Sequence, residues 1–490
     1  MIKKLKYLAI LTIIILPFMA CSDDKSETVF ESPVVIAEES IMPKPELRGV
    51  WMATTSEIDW PLGKYNAEEQ KQLYIDYLDK FVETNINAIF FQVRPNADAF
   101  YDSPYESWSK WITGTAGQDP DYDVLQFVID EAHARNIQFH AWINPYRIST
   151  RTGSGVAFPA LDPKIDPAWI KDYDIIRIYN PALPEVQQRL ADIVKDLITK
   201  YDVDGIHMDD YFYPDIGDTA KLNDRVEFEL YGSGFSTIAD FRIDNVNKIV
   251  KKIHETIVAT KPGVIFSISP TSSINYNKTT LFADVEKWYN EEWVDVLIPQ
   301  VYSAIGLGLA STSSFHRLVN DWNQHYKAKT VLLIGHYLSR VGDGSSTQFT
   351  SAQEIADQVA IVRRQSGTKG SVLFSAKCFF DNDGHGKLGV IDVLKDLFKK
   401  TVILPFMGRK TMEDPAPATN VVLNGTTLTW NVSSGLTSVV YLIPEGQTKA
   451  QIATITQSNT YQISVKGKYF VTTVNRDNVE SEISNEVEYN

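Results

Sequence analysis

The chain has 490 residues, 44% of them hydrophobic and 22% charged, which is enough for a sizeable core and more than one domain. Its 62 acidic residues against 47 basic ones leave a net charge of -15, a balance that argues against a nucleic-acid partner, because phosphate binding needs basic surface. The two cysteines, Cys21 and Cys378, are too few for a disulfide framework or a zinc cluster.

In chain order, Lys3, Lys4 and Lys6 precede the apolar run Leu8 to Ala20, and Cys21 follows directly. A basic head, a short apolar stretch and a small residue before the break make a secretory signal. The run is short for a membrane span, which needs about 20 residues. The segment resembles a bacterial lipoprotein signal over residues 1–21. That implies lipidation of Cys21 and anchorage outside the cytoplasm, at the outer membrane on its periplasmic face or at the cell surface. The alternative is a cleaved signal with an incidental cysteine. Residues 22–45, acidic and carrying Pro33, Pro43 and Pro45, read as a flexible tether.

From Leu47 onward, short apolar runs alternate with longer stretches at helical spacing, the pattern of βα units on a parallel sheet. Strands are expected over 47–54, 88–94, 138–144, 205–209, 264–269, 294–302, 331–337 and 371–377. Helices are expected over 67–84, 124–135, 184–200, 237–260, 281–290, 314–327, 351–365 and 388–399. Eight of each predict an α/β fold, a (β/α)8 TIM barrel over residues 46–405. An open doubly wound sheet would usually bring a glycine-rich phosphate loop, and the chain has none. Long loops after the second and third strands, rich in Trp, Tyr, Pro and Gly, are expected to wall a cleft at the barrel mouth. After a linker over 406–418, residues 419–490 alternate with period two, which predicts a small all-β domain. Its stretch Tyr469 to Ser484 resembles the closing hairpin of a fibronectin type III sandwich, with Trp430 as the core tryptophan.

The segment Gly205-Ile206-His207-Met208-Asp209-Asp210 carries the sharpest chemistry. A buried strand that stops at two acids followed by Tyr211, Phe212 and Tyr213 suggests the floor of a ring-binding cleft, at the barrel's C-terminal face. Alternation puts His207 and Asp209 on one side. Asp209 is the candidate nucleophile or principal catalytic carboxylate, and Asp210 its partner, with one pKa of the pair raised by repulsion. A glycosidase needs a second carboxyl across the bond; Asp59 is the first choice, with Glu57 and Asp210 behind it. Polar residues recur at other strand ends. Arg94, His140, Asn144, His207, Gln300 and Tyr302 are candidates to position sugar hydroxyls, although each alone also reads as a paired core residue. Trp51, Trp60, Trp142, Tyr146, Tyr211 and Tyr213 are candidate ring platforms. No metal site and no cofactor are expected, because His207-x-Asp209 has no further ligands to complete a coordination sphere.

Six ordered motifs then carry a resemblance: Pro45-Glu-Leu-Arg-Gly-Val-Trp-Met-Ala-Thr54, Ile58-Asp-Trp-Pro61, Phe91-Gln-Val-Arg-Pro95, His140-Ala-Trp-Ile-Asn-Pro-Tyr146, Asp204-Gly-Ile-His-Met-Asp-Asp-Tyr-Phe-Tyr-Pro214 and Ile298-Pro-Gln-Val-Tyr302. Together they resemble the glycosyl-hydrolase-like 10 family of bacterial lipoproteins and secreted proteins, over about residues 44 to 400. The resemblance implies a TIM barrel and hydrolysis of glycan chains, including peptidoglycan strands stripped of their stem peptides. The order Asp-Gly-x-x-x-Asp also resembles the fourth-strand motif of α-amylase-like barrels, whose final Asp is the nucleophile; it falls on Asp209. The expected function is therefore an anchored glycoside hydrolase with a glycan substrate. A non-catalytic glycan-binding lipoprotein and a metal-dependent deacetylase are the alternatives. Linkage, stereochemical outcome and oligomeric state are not legible in the residues.

Overall fold

The computed structural model describes residues 41–308, 311–325, 330–380, 389–408 and 413–490. The leader with Cys21 and nearly all of the expected tether lie outside the described residues, as do Lys327 and Leu388 at the ends of two expected helices and residues 409–412 of the expected linker.

Eight parallel strands close into a barrel. They are β1 (Leu47–Met52), β2 (Ala88–Arg94), β3 (Gln138–Ile143), β4 (Gly205–Met208), β5 (Ile265–Ile268), β6 (Val296–Leu297), β7 (Val331–His336) and β8 (Thr368–Phe374), with β8 pairing back onto β1. Helices follow in turn: α1 (Ala67–Glu83), α2 (Val124–Ala134), α3 (Pro184–Lys200), α4 (Ile238–Thr260), α5 (Val285–Asn290), α6 (Phe315–His325), α7 (Gln353–Arg363) and α8 (Val390–Leu397). Their starts are written locally. The Asn66 side chain accepts from Glu68 N at 3.0 Å, and Asp123 and Thr237 cap α2 and α4 in the same way.

Strand alternation sorts the side chains into two cores. Val50, Ile89, Ile206 and Leu332 point outward to the helices. Trp51, Phe90, Trp142, Val296, Leu333 and Val372 point inward and fill the barrel. The large Trp51 ring fits because Gly335 stands opposite; a Cβ there would come within 2.8 Å of the indole.

The elements differ from the sequence reading in several places, and the last strand, expected over 371–377, runs over Thr368–Phe374. The strand expected over 294–302 shrinks to Val296–Leu297, since Pro299 has no N–H to give the ladder; Gln300 continues it only through isolated bridges to Thr271 and Gly335. The helix expected from Leu281 begins at Val285, after Phe282 takes a left-handed φ of 57°. The loop after β3 contains its own antiparallel sheet of Arg147–Thr150, Ile176–Tyr179 and Ile170–Tyr173.

The C-terminal strands form two facing sheets. One has Thr427–Asn431 between Thr419–Asn424 and Thr460–Gln462; the other has the order Gln451–Thr456, Thr437–Pro444, Gly467–Val474, Val487–Tyr489. That is the strand arrangement of a fibronectin type III-like sandwich. Trp430 is buried in it and donates to Ser438 Oγ at 2.8 Å, while the Tyr469 hydroxyl donates to Val465 O at 2.6 Å, a tyrosine-corner bond. The module sits against the N-terminal face of the barrel. Met407 joins the inner barrel core, Ile403 packs on Val439 and Tyr441, and Arg476 pairs with Asp202. The opposite face, at the C-terminal ends of the strands, is left open.

Candidate active site

At that open mouth β3 and β4 lie in register, Trp142 opposite His207 and Ile143 opposite Met208. The next inward positions are therefore Asn144 and Asp209. Asp209 is buried, 2% exposed. Its Oδ2 accepts from Trp142 Nε1 at 3.0 Å and Asn144 Nδ2 at 3.5 Å, and its Oδ1 accepts from the Tyr211 amide at 3.3 Å. Burial first, and the neighbouring Asp210 carboxylate second, push the Asp209 carboxyl up to about 7; Arg147 and the Trp142 donor pull the other way. Asp210 is raised as well, chiefly by burial, against the hydrogen bond it accepts from Gln300 Nε2 at 3.0 Å. It lines an open cleft of about 540 Å³ with Arg147, Tyr211, Asp215 and Tyr276. Across the mouth, Tyr302 and Tyr337 have ring centroids 4.7 Å apart, and Phe374 lies 6.0 Å from Tyr302.

The structure thus brings together Trp142, Asn144, Asp209, Asp210, Tyr211, Gln300 and Tyr302. Of the other expected residues, Tyr213 lines the cleft from an almost fully buried position, and the rest lie away from it. Asp59 is fully buried beneath the ends of β1 and β8, where it accepts from Ala53 N at 2.7 Å, Ser375 Oγ at 2.7 Å and Lys377 N at 2.8 Å. Burial pushes its carboxyl up to about 6, but its oxygens are used in stapling two strand ends together. Arg94, a candidate as a polar residue at a strand end, does not reach the mouth. A register shift between Gln92 and Arg94 sets it opposite the outward Ile143, and it is buried against Glu106, with Oε1 at 2.5 Å from its Nη2.

His140 and His207 face inward but lie deeper than the mouth. His207 Nε2 accepts from Trp51 Nε1 at 3.0 Å and its Nδ1 is 2.8 Å from Ser267 Oγ, so both nitrogens are engaged and burial holds the ring neutral. His140 stacks on Phe90 at 4.5 Å and is pushed down to about 4 by burial. Trp51, Trp60 and Tyr146 are core rings rather than platforms; Trp60 Nε1, for example, donates to Gln70 O at 3.1 Å on the helix side of the sheet. The same residue types fill the barrel interior, as Trp51 does, and the barrel–helix layer, as Trp60 does, so a place near a strand end does not mark a platform. Glu57 is held by the Tyr65 hydroxyl at 2.6 Å.

The sequence reading missed Arg147, Tyr337 and Phe374. Parity supplied a signal for Phe374, two residues beyond inward Val372. For Arg147 the signal was its place directly after the His140–Tyr146 motif. Among the described residues no three His, Cys, Asp or Glu side chains gather as a metal-binding group, and no helix is long and apolar enough to cross a membrane.

A closed parallel barrel with a buried carboxylate and its neighbour at the C-terminal mouth is architecture of the glycosidase type. The family description glycosyl hydrolase-like 10 matches residues 46–351. A glycosyl hydrolase of Bacillus subtilis, YngK, is 37% identical over 382 residues, covering 74% of each chain. DigH of Escherichia coli K12, also a glycosyl hydrolase, is 32% identical over 379 residues, 69% of this chain and 84% of the relative. The chain belongs to the glycosyl hydrolase-like 10 family. Among solved structures, the PgaB (BpsB) glycoside hydrolase domain from Bordetella bronchiseptica superposes with a TM-score of 0.45 at 11% identity, over 75% of this chain and 100% of that one.

Proposed function

We propose that this protein is a glycoside hydrolase acting on bacterial cell-wall glycan, with peptide-free peptidoglycan strands as the first substrate to try. The observation that carries the reading is the pair at the end of β4: a buried Asp209 carboxyl pushed up to about 7, beside Asp210 on the cleft wall. Burial and the charge of Asp210 leave Asp209 as the member that keeps a proton up to about pH 7. The protonated member gives its proton to the leaving-group oxygen as the bond breaks, and the ionised one faces the oxocarbenium-like charge that develops. A water adds to the anomeric carbon and gives up a proton that restores the pair. Asp210 therefore takes the partner role that the sequence reading had assigned first to Asp59. Gln300 orients Asp210, and Tyr302, Tyr337 and Phe374 offer ring faces across the mouth.

The test is release of new reducing ends from purified glycans by wild type and Asp209→Asn, with and without chelator. Release by wild type alone, indifferent to chelator, is the expected result. Activity that survives the substitution places the chemistry elsewhere, and activity lost to chelator alone means a metal-dependent hydrolase.

We further infer from the leader that Cys21 is lipidated and tethers the enzyme to the outer membrane, at its periplasmic face or at the cell surface. Cys21→Ala should then move the protein from the membrane fraction to the soluble one. A wild-type protein already soluble after fractionation refutes the anchor.

A further inference from the structure

Three arginines of the barrel domain are matched to acids of their own. Arg94 pairs with Glu106, Arg177 with Asp172 at 2.7 Å, and Arg242 with Asp224 at 2.6 Å. Arg147 differs. Its amide donates to Asn144 Oδ1 at 3.0 Å, and its guanidinium carbon lies 3.6 Å from the centroid of the Tyr211 ring. No carboxylate among the described residues forms an ion pair with it. The nearby acids are otherwise engaged, Asp210 by Gln300 and Asp215 by the Tyr276 hydroxyl. The result is a half-buried planar cation over a tyrosine ring, on the wall of the cleft that Asp210 also lines. Ile176, Ile178 and Leu281 line the same cleft and give it an apolar side.

Asp209 and Asp210 feel the charge of Arg147, but part-burying a guanidinium with no carboxylate at ion-pair distance still costs stability. A fork of N–H donors in a fixed plane matches a carboxylate bidentately, and it matches a neutral hydroxyl poorly. The apolar side suits the carbon atoms that carry such a group. We propose that Arg147 is the anchor of a subsite for a carboxylate borne on a sugar of the substrate, which makes the preferred glycan an acidic one. This rests on reading the mouth as the glycan-binding active site.

The experiment compares peptide-free peptidoglycan strands, whose lactyl ethers carry free carboxylates, with the same strands after those carboxyls are reduced to alcohols. Affinity is measured by titration calorimetry, and reducing-end release is followed in parallel. Wild type is expected to bind the acidic strands about tenfold or more tighter than the reduced ones, the worth of one charge-assisted pair. Arg147→Gln should lose that preference. Arg147→Lys, which keeps the charge without the fork, should retain part of it, and it guards against a Gln variant that merely fails to fold. Equal wild-type affinity for both strands, or a preference that persists in Arg147→Gln, overturns the subsite. Preference lost in the variant, with no cleavage of either strand by wild type, would leave the subsite standing and remove the hydrolase reading.

Discussion

Asp209 shows how one residue links pH to both stability and rate. Its carboxyl is raised in the fold to about 7, from an ordinary value of about 4. Between those values the folded chain holds a proton that the unfolded chain has released. The sign follows: stability is fullest at low pH and is lost as pH rises through that window. Asp209→Asn cannot ionise, so its unfolding midpoint should exceed that of wild type by more at pH 8 than at pH 5. An advantage equal at both values would mean the carboxyl is not raised. The same protonation places the alkaline limb of wild-type kcat/KM near pH 7, read as a property of the Asp209–Asp210 pair. Arg147 pulls both carboxyls down, so Arg147→Gln should shift that limb upward.

At the scale of elements, the bulge at the end of β2 decides what Arg94 does. Two β2 residues face one on β3, and the side chain that alternation aims at the cleft is turned to Glu106 in the following loop. Both partners are fully buried, so removing one strands the other as an unpaired charge. Glu106→Ala should cost about 3–5 kcal/mol in denaturant unfolding. A loss below about 1 kcal/mol would mean the pair is better solvated than its burial implies. The β1 and β8 ends depend in the same way on Asp59, whose three accepted hydrogen bonds make it a strand clasp.

Over the whole molecule, the sandwich closes the base of the barrel and leaves the catalytic end unobstructed. Its contacts, Arg476 with Asp202 and Ile403 with Val439 and Tyr441, are made on the side away from Asp209. A change inside the sandwich should therefore lower stability without touching turnover. Tyr469→Phe removes the corner hydrogen bond to Val465 and should cost about 1 kcal/mol of sandwich stability, with kcat unchanged in the folded range. A fall in kcat at a temperature where the barrel is intact would show that the two parts are coupled.

Much of this was legible in the chain itself. The eight apolar runs, the capping residues before the helices and the acids closing the fourth run follow from local periodicity and local hydrogen bonding, so the barrel and the place of Asp209 and Asp210 in it could be written down from residues alone. Which aromatic rings reach the cleft could not. Trp60 looks like Trp142 in sequence, and only packing against a helix or against the mouth separates the two. Asp59 and Arg94 were equally undetermined. Their roles depend on partners 316 and 12 residues away, and on a single-residue shift in register that leaves no mark on composition. Local pattern determines which face of an element is apolar. Which polar side chain on it stays unpaired, and so free to meet a substrate, is settled only when distant segments have taken their partners.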